Sequence, residues 1–287
     1  TIHSSRSRFA ARLNSGVSRH MRDQVALSKI INQSGFPLQL AVDELIRQKG
    51  DDIGWTVLYR EHGWSNPDGQ SGFADLVLED RYRTSVMVLE CKRVLDSDWL
   101  FLEESGVKNE TIRTRAWVNN TPGHGKEHSG YYDLRARPKS AESMYCVIAG
   151  QDQKSRPLLE RVAAETCAAT EAIAIEEYAS MLDTKYGFRM YVSVIVTTAR
   201  LSISTVDTAS IALATGEASA ISHREVPFLR FRKQLSSAFA VDRKGSDWGF
   251  TELATAREKM VFVVNSMHLE EFLQAWETSN ESFRPLM

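Results

Sequence analysis

The sequence contains no long apolar run. None of its hydrophobic stretches approaches the roughly 20 residues that a bilayer-spanning helix needs, so a soluble protein without a membrane partner is expected. Cysteine is scarce: Cys91, Cys146 and Cys167 are odd in number, widely spaced and form no CxxC, which excludes a disulfide framework and a cysteine-built zinc module. No secretory signal is visible, and a reducing cytoplasm is the expected compartment. GxGxxG, GxxxxGK[ST] and GxSxG are all missing, so dinucleotide binding, P-loop hydrolysis and serine esterase chemistry lack support. No repeat, low-complexity tract or linker divides the 287 residues, and a single α/β domain is expected.

An overall charge bias is also lacking: 35 Lys and Arg stand against 37 Asp and Glu. The balance hides local asymmetry. Residues 1–34, read as a basic helical arm, carry six Lys/Arg against one Asp, and residues 160–184 carry six acids against one Arg. Arg6, Arg8, Arg12, Arg19 and Arg22 suit a transit peptide, an arm on a phosphate backbone, or a solvated helix face. Binding of nucleic acid depends on a local basic face, so the near-neutral total neither supports nor excludes it.

What is present is an ordered succession of elements. Val17, Met21, Val25, Leu27 and Ile31 predict a helix over 17–32, and Pro37 opens a second that runs to about Lys49 and stops at Gly50. Strands are predicted at Trp55–Tyr59, Phe73–Leu78 and Ser85–Val94. In the third, Val86-Met87-Val88-Leu89 is a continuous apolar run, as in a strand buried on both faces. Residues 96–142 are polar, rich in Gly, Asn, Arg and His, and read as an inserted excursion. A short strand at Met144–Ala149, a long helix at Pro157–Leu182 and a buried strand at Arg189–Thr198 follow. Residues 220–287 read as a strand–strand–helix extension (Val226–Arg232, Met260–Val264 and about His268–Trp276).

The chemistry concentrates on the second and third strands. Asp75 sits in Phe73-Ala74-Asp75-Leu76, and after a spacer of fourteen residues comes Glu90-Cys91-Lys92. Strand alternation puts Glu90 and Lys92 on one face. Charges at the end of a buried strand are costly unless something requires them. Asp75 on a neighbouring antiparallel strand would repel Glu90, and a hard divalent cation relieves such repulsion. Lys92 beside it can orient a water or stabilise charge on a phosphate. The plain alternative is a strand-end salt bridge between Glu90 and Lys92, with Asp75 capping a turn.

This pattern resembles the PD-(D/E)xK, or restriction-endonuclease-like, nuclease superfamily. The likeness covers roughly residues 37–200 and departs from the family at Ala74, where proline is usual. It implies an αβββαβ core with a mixed sheet flanked by helices. It also implies Mg2+ or Mn2+ held by Asp75 and Glu90, with the Cys91 carbonyl as a further ligand and Glu44 binding directly or through water. Lys92 would activate the attacking water, so Asp75, Glu90 and Lys92 are the implied catalytic set. The implied activity is endonucleolytic hydrolysis of DNA, with double-stranded DNA as partner, a homodimer or larger complex as assembly, and prokaryotic defence or DNA repair as setting. A nuclease-fold protein that only binds nucleic acid or scaffolds a complex is the alternative.

Other signals are weaker. His124 and His128 have an H-x3-H spacing, but Gly123 and Gly125 argue against a helix, leaving surface histidines or substrate contacts. Gln151–Arg156 opens the long helix and suits phosphate or plain solvent. Trp99, Trp117, Tyr131 and Tyr132 stack on bases or anchor the excursion. Phe228, Leu229 and Phe231 read as core.

Overall fold

A computed structural model describes residues 24–286 apart from 68, 96, 108, 151–156, 183–186, 236–253 and 256. Most of the basic arm and all of Gln151–Arg156 therefore lie outside the described residues. Helix α1 covers residues 24–33 and exposes Val25, Leu27, Ile30 and Ile31. Helix α2, Phe36–Ile53, has Pro37 in its first turn and ends at Gly54, whose φ of 78° is the left-handed geometry of a helix stop. The expected stop at Gly50 is wrong. Gly50 lies inside the helix because the chain passes close by: a Cβ there would collide with the Trp55 carbonyl.

Strands β1 (Trp55–Ser65), β2 (Ser71–Asp80) and β3 (Ser85–Lys92) form an antiparallel meander. Next come β4 (Asp98–Glu104), β5 (Glu110–Asn120), β6 (His128–Ser143), β7 (Cys146–Ile148) and helix α3 (Leu158–Leu182). Strand β8, Phe188–Thr197, then lies parallel to β3 from Ser85↔Met190 to Lys92↔Thr197. Parallel neighbours require a long crossover, and α3 supplies its last leg.

The reading of 96–142 as a polar excursion is corrected. The segment is strand for most of its length, and the β5–β6 hairpin runs from Glu110↔Ala141 to Asn120↔His128. The strand–strand–helix expected over 220–287 is present, but its strands belong to the main sheet rather than to an appendage. After β9 (Arg200–Val206) and three short strands, β10 (Ile211–Ala212), β11 (Glu217–Ala218) and β12 (Ile221–Glu225), the chain returns to the main sheet as β13 (Phe228–Lys233) and β14 (Lys259–Asn265). Strand β14 pairs with the second half of β8, and β5 pairs with its first half. The pairs β14–β13, β13–β6 and β6–β5 complete a closed ring of five strands. A separate sheet has the order β12-β9-β4-β7. The molecule is thus mixed α/β, mostly sheet, with a five-strand barrel at one side and the β1–β3 meander extending from β8.

Two helical layers cover the central sheet. On one face Leu38, Val42 and Ile46 of α2, with Leu269, Phe272 and Leu273 of α4 (Leu269–Gln274), bury Leu76, Leu89, Val192 and Val194. On the other, Ala169, Ala172, Ile173 and Ala174 of α3 pack on Val77, Val86, Val88 and Tyr191. The alanines keep α3 close to the sheet. The stripe Phe228, Leu229 and Phe231 is core, as expected.

Inside the barrel sits Arg230, fully buried. It donates to the carbonyls of Ala136 (2.7 Å) and Pro138 (3.0 Å) and to the hydroxyls of Ser140 (2.7 Å) and Thr114 (3.2 Å), and stacks 4.7 Å from the Phe262 ring centre. Burial lowers its pKa to about 10, so it stays charged at neutral pH. Among the described residues no helix is long and apolar enough to cross a membrane.

Candidate metal centre

The β2–β3 ladder ends at Leu76↔Leu89. Beyond that pair, the Asp75 carboxylate replaces the missing backbone partner: Oδ2 accepts the Cys91 N–H at 2.7 Å. A strand residue sends its N–H and C=O to the same edge, so the Cys91 carbonyl also faces β2. It lies 3.8 Å from where a Cβ on Gly35 would stand. The Cys91 side chain packs in the core under α2, and burial raises its pKa well above the usual thiol value, which makes it an inert packing group.

Glu90 and Lys92 alternate with Cys91 and turn to the α3 face. Among the described residues neither forms an ion pair, with the other or with any third residue, and the Glu90 carboxylate has no hydrogen-bond partner. A closed Glu90–Lys92 salt bridge is therefore not what this strand end contains. Burial, then the nearby Asp75 charge, push the Glu90 pKa from its usual 4.5 to about 7; Lys92 opposes this, and Glu165 on α3 and Glu61 on β1 add to it. Asp75 is also raised, chiefly by burial and against the bond from Cys91. Two half-buried carboxylates are thus held together at the end of β3 with one ammonium beside them.

The structure does not bring Glu44 to this cluster. Its carboxylate is held on the surface of α2 by Arg47 and Gln48. Helix phase explains the difference: Glu44 lies two residues past the buried Val42, about 200° around the helix. The α2 residue that reaches the site is Gln39, whose Nε2 donates to Glu61 Oε1 at 2.6 Å and to the Asp75 carbonyl at 3.1 Å. Gln39 and Glu61 both lie outside the pattern formed by Asp75, Glu90 and Lys92. Gln39 carried a usable signal: it is the one polar member of the stripe Gln39, Val42, Ile46, Gly50 and Ile53, spaced three and four residues apart.

Among the described residues no three or more His, Cys, Asp or Glu side chains are arranged to hold a metal ion. Asp75 and Glu90 with the Cys91 carbonyl instead offer two carboxylates and a main-chain oxygen. That all-oxygen donor set fits Mg2+, which binds through one or two carboxylates and keeps several waters.

The remaining candidates are structural. Trp99 is fully buried, and Tyr132 packs against the core. Trp117 meets Tyr131 edge-on at 5.4 Å, and the Tyr131 hydroxyl donates to Glu171 at 2.8 Å. Trp117, Tyr131 and Tyr132 anchor the β5–β6 hairpin. His128 Nε2 contacts the Gly130 carbonyl and His124 Nδ1 contacts Thr121, so the two do not share a site. A cavity of ≈590 Å³ between the β4 and β6 ends, lined by Leu102, Glu142, Tyr145, Arg232 and Glu258 among others, shares no residue with the carboxylate cluster. Compared with protein-family models, curated proteins and solved structures, the chain matches none.

Proposed function

We propose that the protein is a divalent-metal-dependent endonuclease that hydrolyses DNA, built on a restriction-endonuclease-like core. One observation carries this reading: Glu90 and Lys92 share a face at the end of β3, each without an ion-pair partner among the described residues, beside an Asp75 carboxylate fixed to the Cys91 N–H. Partly buried charges left unpaired cost stability, and such cost is retained where it serves a site. With β4–β7 inserted between β3 and α3, the succession α2, β1, β2, β3, α3, β8, with β1-β2-β3-β8 adjacent and β3 parallel to β8, supports the fold assignment.

Asp75 and Glu90, with the Cys91 carbonyl, would hold Mg2+ or Mn2+. When bound, such an ion polarises a phosphoryl oxygen and lowers the pKa of its water. Asp75 contributes a carboxylate whose direction is set by the main chain of β3. Glu90 contributes the second negative charge, ionised more readily once a cation offsets Asp75. Lys92 reaches the same face and positions the attacking water or balances charge building on the phosphate.

The test is cleavage of supercoiled plasmid DNA by the purified chain in Mg2+ or Mn2+, against EDTA. Glu90→Ala and Lys92→Ala should each abolish cutting, and full cleavage by both variants would sink the assignment. DNA binding without Mn2+ binding would instead mark a nucleic-acid-binding or scaffolding subunit.

A further inference from the structure

Strand β1 carries a carboxylate that neither the sequence pattern nor the proposed ligand set uses. Glu61 lies between the cross-strand pairs Arg60↔Leu76 and His62↔Ala74, so it stands opposite Asp75. Its backbone has φ 46°, a left-handed conformation uncommon for a residue with a side chain. Gln39 of α2 then fixes the carboxylate: one amide nitrogen donates both to Glu61 and to the main chain of Asp75. Among the described residues no Lys, Arg or His forms an ion pair with Glu61, and its charge is felt by both Asp75 and Glu90.

We propose that Glu61, clamped by Gln39, is the third carboxylate of the cation site, holding a metal-bound water in the role that the family resemblance gave to Glu44. The inference rests on the reading of Asp75 and Glu90 as cation ligands. Mg2+ keeps several of its waters, so a carboxylate one water away contributes without entering the coordination sphere. Glu44 is turned away and already engaged by Arg47 and Gln48. Gln39 is a positioning residue, acting through Glu61.

The experiment is calorimetric titration of Mn2+ into the metal-free full chain, without nucleic acid. The proteins compared are the wild type, Glu61→Gln, Gln39→Met, Glu44→Gln and Glu90→Gln. Loss of a group that orients a metal ligand weakens metal binding by about 10- to 100-fold, and Glu61→Gln should fall in that range. Gln39→Met should give a smaller loss, and Glu44→Gln none. Thermal melting in EDTA separates a structural role, because Glu61→Gln removes a repelling charge and should keep or raise the midpoint. A lowered midpoint with unchanged Mn2+ affinity overturns the inference. So does wild-type affinity in Glu61→Gln while Glu90→Gln fails to bind, an outcome that leaves the two-carboxylate site standing. Absence of Mn2+ binding by the wild type overturns both.

Discussion

The Asp75 carboxylate is bonded to the main chain of Cys91, 2.7 Å from Oδ2 to the amide nitrogen. The bond continues the β2–β3 pairing through a side chain just where the ladder has stopped. Asp75 therefore serves strand geometry and site charge at once, and substitutions can separate the two.

Asp75→Asn keeps an oxygen that can accept the Cys91 N–H but removes the charge. Its urea-unfolding free energy should stay within about 1 kcal/mol of wild type, since a typical internal hydrogen bond is worth about that much. Asp75→Ala leaves the N–H without its acceptor and should cost about 1–3 kcal/mol. Both should lose Mg2+-dependent plasmid cleavage. An Asn variant that cuts at the wild-type rate would remove Asp75 from the site.

The raised pKa of Glu90 sets the sign of a pH effect on stability. The folded chain holds this proton up to about pH 7, whereas the unfolded chain releases it near 4.5. The stabilisation is fully present below pH 4.5 and is lost as pH rises through 7, because the folded state binds more protons across that window. In EDTA, Glu90→Gln should flatten this part of the profile relative to wild type. Identical slopes between pH 4.5 and 7 in the two proteins would show that Glu90 ionises as freely in the folded chain as in the unfolded one.

Where residues act locally, the sequence was sufficient. The apolar run Val86–Leu89 marked β3, and alternation placed Glu90 and Lys92 together. Glu44, which the family resemblance implies, is kept out of the site by helix phase: Leu38, Val42 and Ile46 define the inward stripe, and Glu44 is off it while Gln39 is on it. The β5–β6 hairpin was not legible for a different reason. Thr114, Ser140 and Arg230 satisfy one another inside the barrel, while Arg115 bonds Asp133 at 3.1 Å on the other face. Polar residues that are paired across strands give no apolar alternation, so the segment reads as loop. The insertion of β14 between β8 and β13 is a long-range pairing, and no local pattern encodes it.

Arg230 gives that polar interior a measurable consequence. Arg230→Met keeps most of the side-chain volume and removes a buried charge, which taken alone is favourable. It also leaves the Ala136 and Pro138 carbonyls and two hydroxyls without their donor in the barrel. Each buried acceptor left unpaired costs about 1–3 kcal/mol, so the loss should prevail, at about 2–4 kcal/mol net. Chemical denaturation measures it. A Met variant as stable as wild type would mean that the barrel carbonyls do not need the guanidinium.

Gly50→Ala sets helix propensity against close packing. Glycine inside a helix costs about 1 kcal/mol relative to alanine, so at an ordinary position the substitution stabilises. At Gly50 the added Cβ meets the carbonyl oxygen of Trp55, which is backbone and cannot rotate aside. The Gly54 N–H already bonds the Gly50 carbonyl at 2.8 Å, fixing how the chain turns from α2 into β1. The clash is relieved only if β1 shifts against α2, and overpacking of this kind costs about 1–3 kcal/mol. The variant should therefore unfold at lower denaturant than wild type. The same shift would separate Gln39 on α2 from Glu61 on β1, so Mn2+ affinity should fall along with stability. A stabilised Gly50→Ala with wild-type Mn2+ affinity would show that β1 can yield without disturbing that clamp.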